Sequence, residues 1–277
     1  MGMSNDYPGK RIELSGGWTH YDLSGPEGGQ VVVLLHGGTI PMWTWDRQVP
    51  VLVEAGFRVL RYDMFGRGRS DCPRTTYERP LYERQVLDLL DSLGLDDPVH
   101  LVGISFGGGT SANFAVRHPK RVDRLALIAP VVTYKHGKTM VRLLAYPYVG
   151  ELLMRVTGVR KIESRAGELW KGAPGSARYE RLFHEQIHSE GFVRAFLSMM
   201  RTDALGDYRD VYRALGGQDR RFLLVWGTAD EEIPRESILF LRDVLPGLAY
   251  HELEGIGHGS VSEAADRVNE ILLGFLR

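Results

Sequence analysis

The sequence predicts an α/β fold in which a mostly parallel, doubly wound sheet is covered by helices on both faces, and three observations predict it. Short runs rich in Val, Ile and Leu recur at residues 31–35, 57–62, 99–104, 124–128 and 222–226, several of them closing on Gly, Asp or Pro. Runs of this length and composition read as strands buried on both faces. Helix-period segments at 45–55, 81–93 and 106–118 lie between them, as parallel strands require, because a tight turn cannot join two of them. The alternation runs through a chain of 277 residues with 43% apolar positions, enough to fill a core without a metal or a disulfide.

Taken in order, the first ten residues are polar and include Pro8, so they lack the apolar run of a secretory leader. Met1-Gly2 is followed by Asp6 where a myristoylation signal needs Ser or Thr. Residues 11–14 and 18–23 alternate around Ser15-Gly16-Gly17, the pattern of an edge hairpin that starts the sheet. In 81–93, Leu81, Val86, Leu89, Leu90 and Leu93 form one helical face. The alternation stops after Pro130 and resumes at Phe222, and the stretch between is helix-forming, aromatic and punctuated by Gly150, Gly158 and Gly172 to Gly175. Residues 1–130 and 221–277 are therefore expected to form the core, and 131–220 an inserted helical cap. The cap joins the core at strand carboxyl ends, where open α/β sheets bind ligands.

Lys and Arg number 34 against 35 Asp and Glu, a net charge of -1, so no overall field draws nucleic acid or an anionic membrane. The single cysteine, Cys72, excludes an internal disulfide and fits a reducing, cytoplasmic setting. No apolar stretch approaches the roughly 20 residues of a membrane span, so no stable membrane insertion is expected.

The strongest chemical signal is Gly103-Ile104-Ser105-Phe106-Gly107, a G-x-S-x-G between an expected strand and an expected helix. A serine hydroxyl is a weak nucleophile that must be presented on a sharp turn, and small residues on either side let strand and helix approach. The turn also sets the Phe106 N–H at a helix start, facing a developing oxyanion. An activated serine needs a base and an orienting acid. Residues 222–226 run into Gly227-Thr228-Ala229-Asp230, and residues 249–253 run into Glu254-Gly255-Ile256-Gly257-His258. Ser105, Asp230 and His258 thus follow one another in the required order.

On these motifs the sequence resembles the α/β-hydrolase fold superfamily over nearly the whole core, which implies a sheet of about eight strands with an inserted cap. Leu34-Leu35-His36-Gly37-Gly38 resembles the family's loop after the third strand, whose backbone supplies the second oxyanion donor; by position this is Gly38. Residues 62–70, Tyr-Asp-Met-Phe-Gly-Arg-Gly-Arg-Ser, resemble the turn that shapes the site without doing chemistry. A serine at the elbow, where epoxide- and halide-processing members carry Asp, implies an acyl-enzyme. The expected activity is cleavage of a carboxylic ester with an apolar side.

Rival readings stand beside this one. A carbon-carbon bond hydrolase of ring-cleavage products uses the same triad, although a Trp commonly follows its histidine where Gly259 stands here. A lipase, or a hydrolase-like ligand receptor with slow turnover, also fits. Among single residues, His36 is expected to hydrogen-bond its neighbouring backbone, and Glu231 and Glu232 are alternative acids to Asp230. His184 and His188 have metal-ligand spacing, but no carboxylate or Cys partner is in register, so no metal is expected. The elbow lacks the Lys-Ser/Thr ending of a phosphate loop, and no cofactor is implied. Apolar residues such as Tyr146, Tyr148, Leu152, Trp170, Phe183 and Phe192 suit a pocket wall, though core packing explains most of them.

Overall fold

A computed structural model describes residues 7–133, 143–144, 146–160, 162–164, 175–189 and 191–277. Its strands are β1 (Lys10–Leu14), β2 (Gly17–Ser24), β3 (Val31–Leu35), β4 (Arg58–Tyr62), β5 (Val99–Ile104), β6 (Val122–Ile128), β7 (Arg221–Gly227) and β8 (Ala249–Leu253). They form one sheet in the order β1-β2-β4-β3-β5-β6-β7-β8. The expected edge hairpin is β1 and β2, which pair antiparallel, and β2 continues antiparallel onto β4. From β4 to β8 every pairing is parallel.

Both faces of the sheet are covered, as near-continuous apolar strands demand. In β3 the side chains alternate between two cores: Val33 and Leu35 join one cluster, Val32 and Leu34 the other. Helices α1 (Val49–Glu54), α2 (Arg79–Ser92) and α3 (Phe106–Arg117) supply the crossovers of the first half. Residues 45–55 depart from the single helix expected of them. A 3-10 turn, Met42–Trp45, comes first, and the α-helix starts only at Val49. Pro50 lies in its first turn, the one helical place where a missing N–H costs nothing.

The polar start of the chain holds one surprise. Tyr7 is buried, its ring meets His20 edge-on at 4.9 Å, and its hydroxyl donates to Asp63. Asp63 also accepts from the Met42 and Arg69 N–H groups and pairs with His20 Nδ1 at 2.7 Å. Burial alone would raise its pKa, yet the His20 contacts, the nearby His36 and the Arg69 N–H hold it below the ordinary value.

Between β6 and β7 the described residues include the helices Val149–Leu153, Ser176–Ile187, Phe192–Arg201 and Arg209–Gly216. The only β contact among them is an isolated bridge, Thr133 to Asp207. Leu182, Phe183, Ile187 and Phe192 pack with Met42, Trp43 and Tyr7 in a third buried cluster. His136, Trp170, Gly172, Ala173 and Pro174 lie outside the described residues. No helix among the described residues is long and apolar enough to cross a membrane.

Candidate active site

A single residue, Ser105, separates β5 from α3. Reversing the chain there requires φ 54° and ψ -119° at a residue with a Cβ, a conformation that costs about 1–3 kcal/mol and persists only when its surroundings enforce it. Here the Ser105 N–H donates to the Ile128 carbonyl at 2.9 Å, and the Ser105 carbonyl accepts from Val131 and Gly108, each at 3.0 Å. The flanking glycines are a steric requirement. A Cβ on Gly103 would lie 2.3 Å from the Gly107 carbonyl oxygen, and one on Gly107 would lie 2.2 Å from that of Leu35.

The loop after β3 lies against this elbow. A Cβ on Gly37 would meet Ser105 Cβ at 3.6 Å, and one on Gly38 would meet Phe106 Cβ at 3.8 Å. His36 bonds the backbone, as expected. Its Nε2 accepts from the Met64 N–H at 2.9 Å, so Nδ1 carries the proton donated to the Gly37 carbonyl at 2.7 Å. Burial lowers the pKa of this ring to about 4, which keeps it neutral and preserves both bonds. The Gly37 carbonyl and the Gly38 N–H share one trans peptide and point in opposite directions, so His36 turns the Gly38 N–H away from itself. Among the described residues neither the Gly38 nor the Phe106 N–H donates to another group. Two free donors beside a serine hydroxyl suit a carbonyl oxygen that gains negative charge.

Asp230 follows β7 and turns back on its own loop. Its Oδ1 accepts from the Glu232 and Ile233 N–H groups at 2.8 and 2.9 Å, and its Oδ2 meets His258 Nδ1 at 2.8 Å. The carboxylate is fully buried, whereas the imidazole is about one-fifth exposed. Of the three neighbouring acids, Asp230 is the one that grips Nδ1. Glu232, half-exposed, lies 3.6 Å from Nε2 instead, and Glu231 is exposed. Burial disfavours a charged His258, but the Asp230 hydrogen bond and the charges of Glu232, Asp230 and Glu263 outweigh it and raise its pKa above the ordinary value. Among the described residues Ser105 makes no hydrogen bond to this ring; such contacts often tighten only when substrate binds.

Glu263 is a brace that sequence reading passed over. Its carboxylate accepts from the N–H groups of Gly257 and Gly259, at 2.8 and 3.0 Å, and so holds the loop on both sides of His258. A glutamate in the first turn of the helix Ser260–Glu263, just after a glycine-rich loop, was the available signal.

His184 and His188, expected to lack a carboxylate partner, have one in the folded chain. Glu163 brings Oε1 to 2.6 Å from His184 Nδ1, and the donor atoms of Glu163, His184 and His188 lie within 4.8 Å of one another. Sequence spacing could not show this because 21 residues separate Glu163 from His184. Of the apolar side chains between β6 and β7, Phe183, Phe192, Met199 and Met200 are core, whereas Tyr146, Tyr148 and Leu152 face solvent.

Comparison with known proteins agrees with this architecture. The family profile described as alpha/beta hydrolase fold matches residues 30–265. The chain is 29% identical to a 2-hydroxy-6-oxo-6-phenylhexa-2,4-dienoate hydrolase of Comamonas testosteroni, over 96% of this chain and 93% of that one. It is 30% identical to a 2-hydroxy-6-oxononadienedioate/2-hydroxy-6-oxononatrienedioate hydrolase of Dechloromonas aromatica, covering 93% and 90% of the two chains. Among solved structures, the enol-lactonase of Burkholderia xenovorans LB400 superposes with a TM-score of 0.82 at 24% identity, covering 96% of this chain and 99% of its own. A meta-cleavage product hydrolase from Pseudomonas fluorescens IP01 gives 0.76 at 26% identity, with 97% of each chain covered.

Proposed function

The chain belongs to the alpha/beta hydrolase fold family, and from that premise we propose that it hydrolyses a carboxylic ester with an apolar side through an acyl-enzyme on Ser105. The observation that carries this reading is the strained Ser105 turn, flanked by the unengaged Gly38 and Phe106 N–H groups, on the same sheet edge as the Asp230 and His258 pair.

In this mechanism Ser105 Oγ bonds to the carbonyl carbon as His258 Nε2 takes the hydroxyl proton. The carbonyl electron pair moves to oxygen, where Gly38 and Phe106 donate to it. Asp230 holds the ring by Nδ1 and stabilises its charged form. The adduct collapses, the leaving alkoxide takes the proton from His258, and the acyl group stays on Ser105. Water, deprotonated by His258, then releases the acid and restores the serine. No cofactor or metal is needed for any of these steps.

Residues 131–220 serve as a cap over this edge. Support comes from the contacts its helices make with the loops after β4: Gln186 accepts from the Gly68 N–H at 2.6 Å, and Ser198 accepts from the Tyr77 N–H at 2.9 Å.

A second reading is favoured by the relatives. Their dienoate substrates contain no ester, so hydrolysis must break a carbon-carbon bond, and the same triad serves if the carbon leaving group is protonated. Gly259, following His258 where that group commonly carries Trp, argues for the ester. The test sets p-nitrophenyl esters of increasing acyl length against a hydroxy-oxo-dienoate in parallel, with Ser105→Ala as control. Ester turnover that Ser105→Ala lowers about 10⁴-fold supports the first reading. Cleavage of the dienoate alone supports the second, and wild-type activity in Ser105→Ala removes both.

A further inference from the structure

The guanidinium of Arg67 is buried beside the oxyanion loop. Its Nε donates to the Gly38 carbonyl at 2.5 Å, one terminal nitrogen to the Gly66 carbonyl at 2.7 Å, and the other to Met199 Sδ at 3.0 Å. Phe192 and Phe196 face it at 5.0 and 5.9 Å. Among the described residues no carboxylate pairs with it. The titratable neighbours that act on it are Tyr82, Cys72 and Tyr77, and burial pushes both tyrosine hydroxyls up, which keeps them neutral near pH 7. Arg61, buried to a similar degree, shows how this fold treats a cation that is only structural: Asp22 and Asp46 both pair with it.

An unpaired buried cation is costly, so its location is informative. The two peptides that meet at the Gly38 Cα are each held by a different side chain. His36 grips the carbonyl before it and Arg67 the carbonyl after it. Glycine has no Cβ to restrict its own rotation, so these two grips set the direction of the Gly38 N–H.

We propose that Arg67 is a positioning residue of the oxyanion hole, pinning the Gly38 carbonyl and placing an uncompensated positive charge beside the oxygen that becomes negative. It rests on the reading of Ser105 as nucleophile. Through Phe192, Phe196 and Met199, all on the helix Phe192–Arg201, it also ties the position of that helix to the oxyanion loop.

The test is fluorophosphonate labelling of the intact protein, in which Ser105 Oγ bonds to phosphorus, fluoride leaves, and the serine proton passes to His258. This reaction needs the oxyanion hole but no knowledge of the natural substrate. Arg67→Met is expected to slow the maximal labelling rate about 10- to 100-fold with half-saturation unchanged, below the full loss of an oxyanion donor. Arg67→Lys is expected to recover part of the rate, because it restores charge without the fork. Thermal melts of each variant report on folding, and the lysine variant still decides if the methionine variant does not fold. Labelling of both variants at the wild-type rate would overturn the role of Arg67, as would a change confined to half-saturation. A wild-type protein that fails to label removes the Ser105 reading itself, a result distinguishable from the other two.

Discussion

Gly107→Ala and Gly274→Ala are the same chemical change in two helices, and the structure assigns them opposite signs. Gly274 lies in the exposed part of the helix Ala265–Leu276, and among the described residues a Cβ there has nothing within 4 Å. Only the propensity difference acts, so alanine stabilises by about 1 kcal/mol. At Gly107 the added Cβ would sit 2.2 Å from the Leu35 oxygen and 2.5 Å from the His36 oxygen. Carbon and carbonyl oxygen settle near 3.3 Å at closest, so α3 or the β3 end must retreat by roughly 1 Å. Overfilling of this kind costs about 1–3 kcal/mol, and the upper end applies because both obstacles are backbone. At about 2–4 °C per kcal/mol for a chain of this size, Gly107→Ala should melt roughly 4–12 °C below wild type and Gly274→Ala about 2–4 °C above it. The retreat also separates Ser105 from the loop carrying Gly38, so fluorophosphonate labelling should fall in the first variant and not in the second. Thermal melts followed by tryptophan fluorescence, with labelling rates, provide the readout. A Gly107→Ala protein that melts with wild type and labels as fast would refute the close approach of α3 to β3 as the reason for the glycine.

Two further predictions concern pH. In the proposed mechanism His258 must be neutral to take the serine proton, so activity is expected to rise with pH through its raised pKa; Glu232→Gln removes one of the charges that raise it and should shift the acid limb of kcat/KM to lower pH. The stability contribution of His258 runs the other way, present below the unfolded value and lost as pH rises through the folded one, and an unmoved acid limb in the Glu232→Gln profile would exclude the coupling. Burial depresses the pKa of His36 to about 4 from an ordinary 6.5, so the unfolded chain binds its proton first and the ring costs stability as pH falls between those values. At pH 5 this amounts to about 2 kcal/mol relative to pH 7, and His36→Gln should lose that much less than wild type in paired urea titrations. Equal losses would mean that the ring is not held neutral.

The parts of the candidate site that were legible in the sequence are those whose reason is local. Gly103 and Gly107 are readable because the contacts that exclude a Cβ there follow from a strand turning into a helix over one residue. Asp230 and His258 are readable because each closes a strand of the sheet and appears in the required order. His36 was legible as a backbone partner for the same reason, since its acceptor is the next residue. Glu163 and Tyr7 were not. Each acts on a partner that the fold brings near, and nothing in their own spacing names that partner.

The sequence by itself determined the α/β alternation, the order of the motifs and the identity of Ser105 as the residue at the turn. These depend on hydrophobic period and backbone sterics, which act over a few residues at a time. Only the tertiary structure decided which of three adjacent acids meets His258 Nδ1, and that among the described residues Arg67 is buried with no carboxylate where Arg61 has two. Burial and countercharge depend on the groups the whole chain brings together, and the energy of a charge changes with its surroundings far more than with its neighbours in sequence.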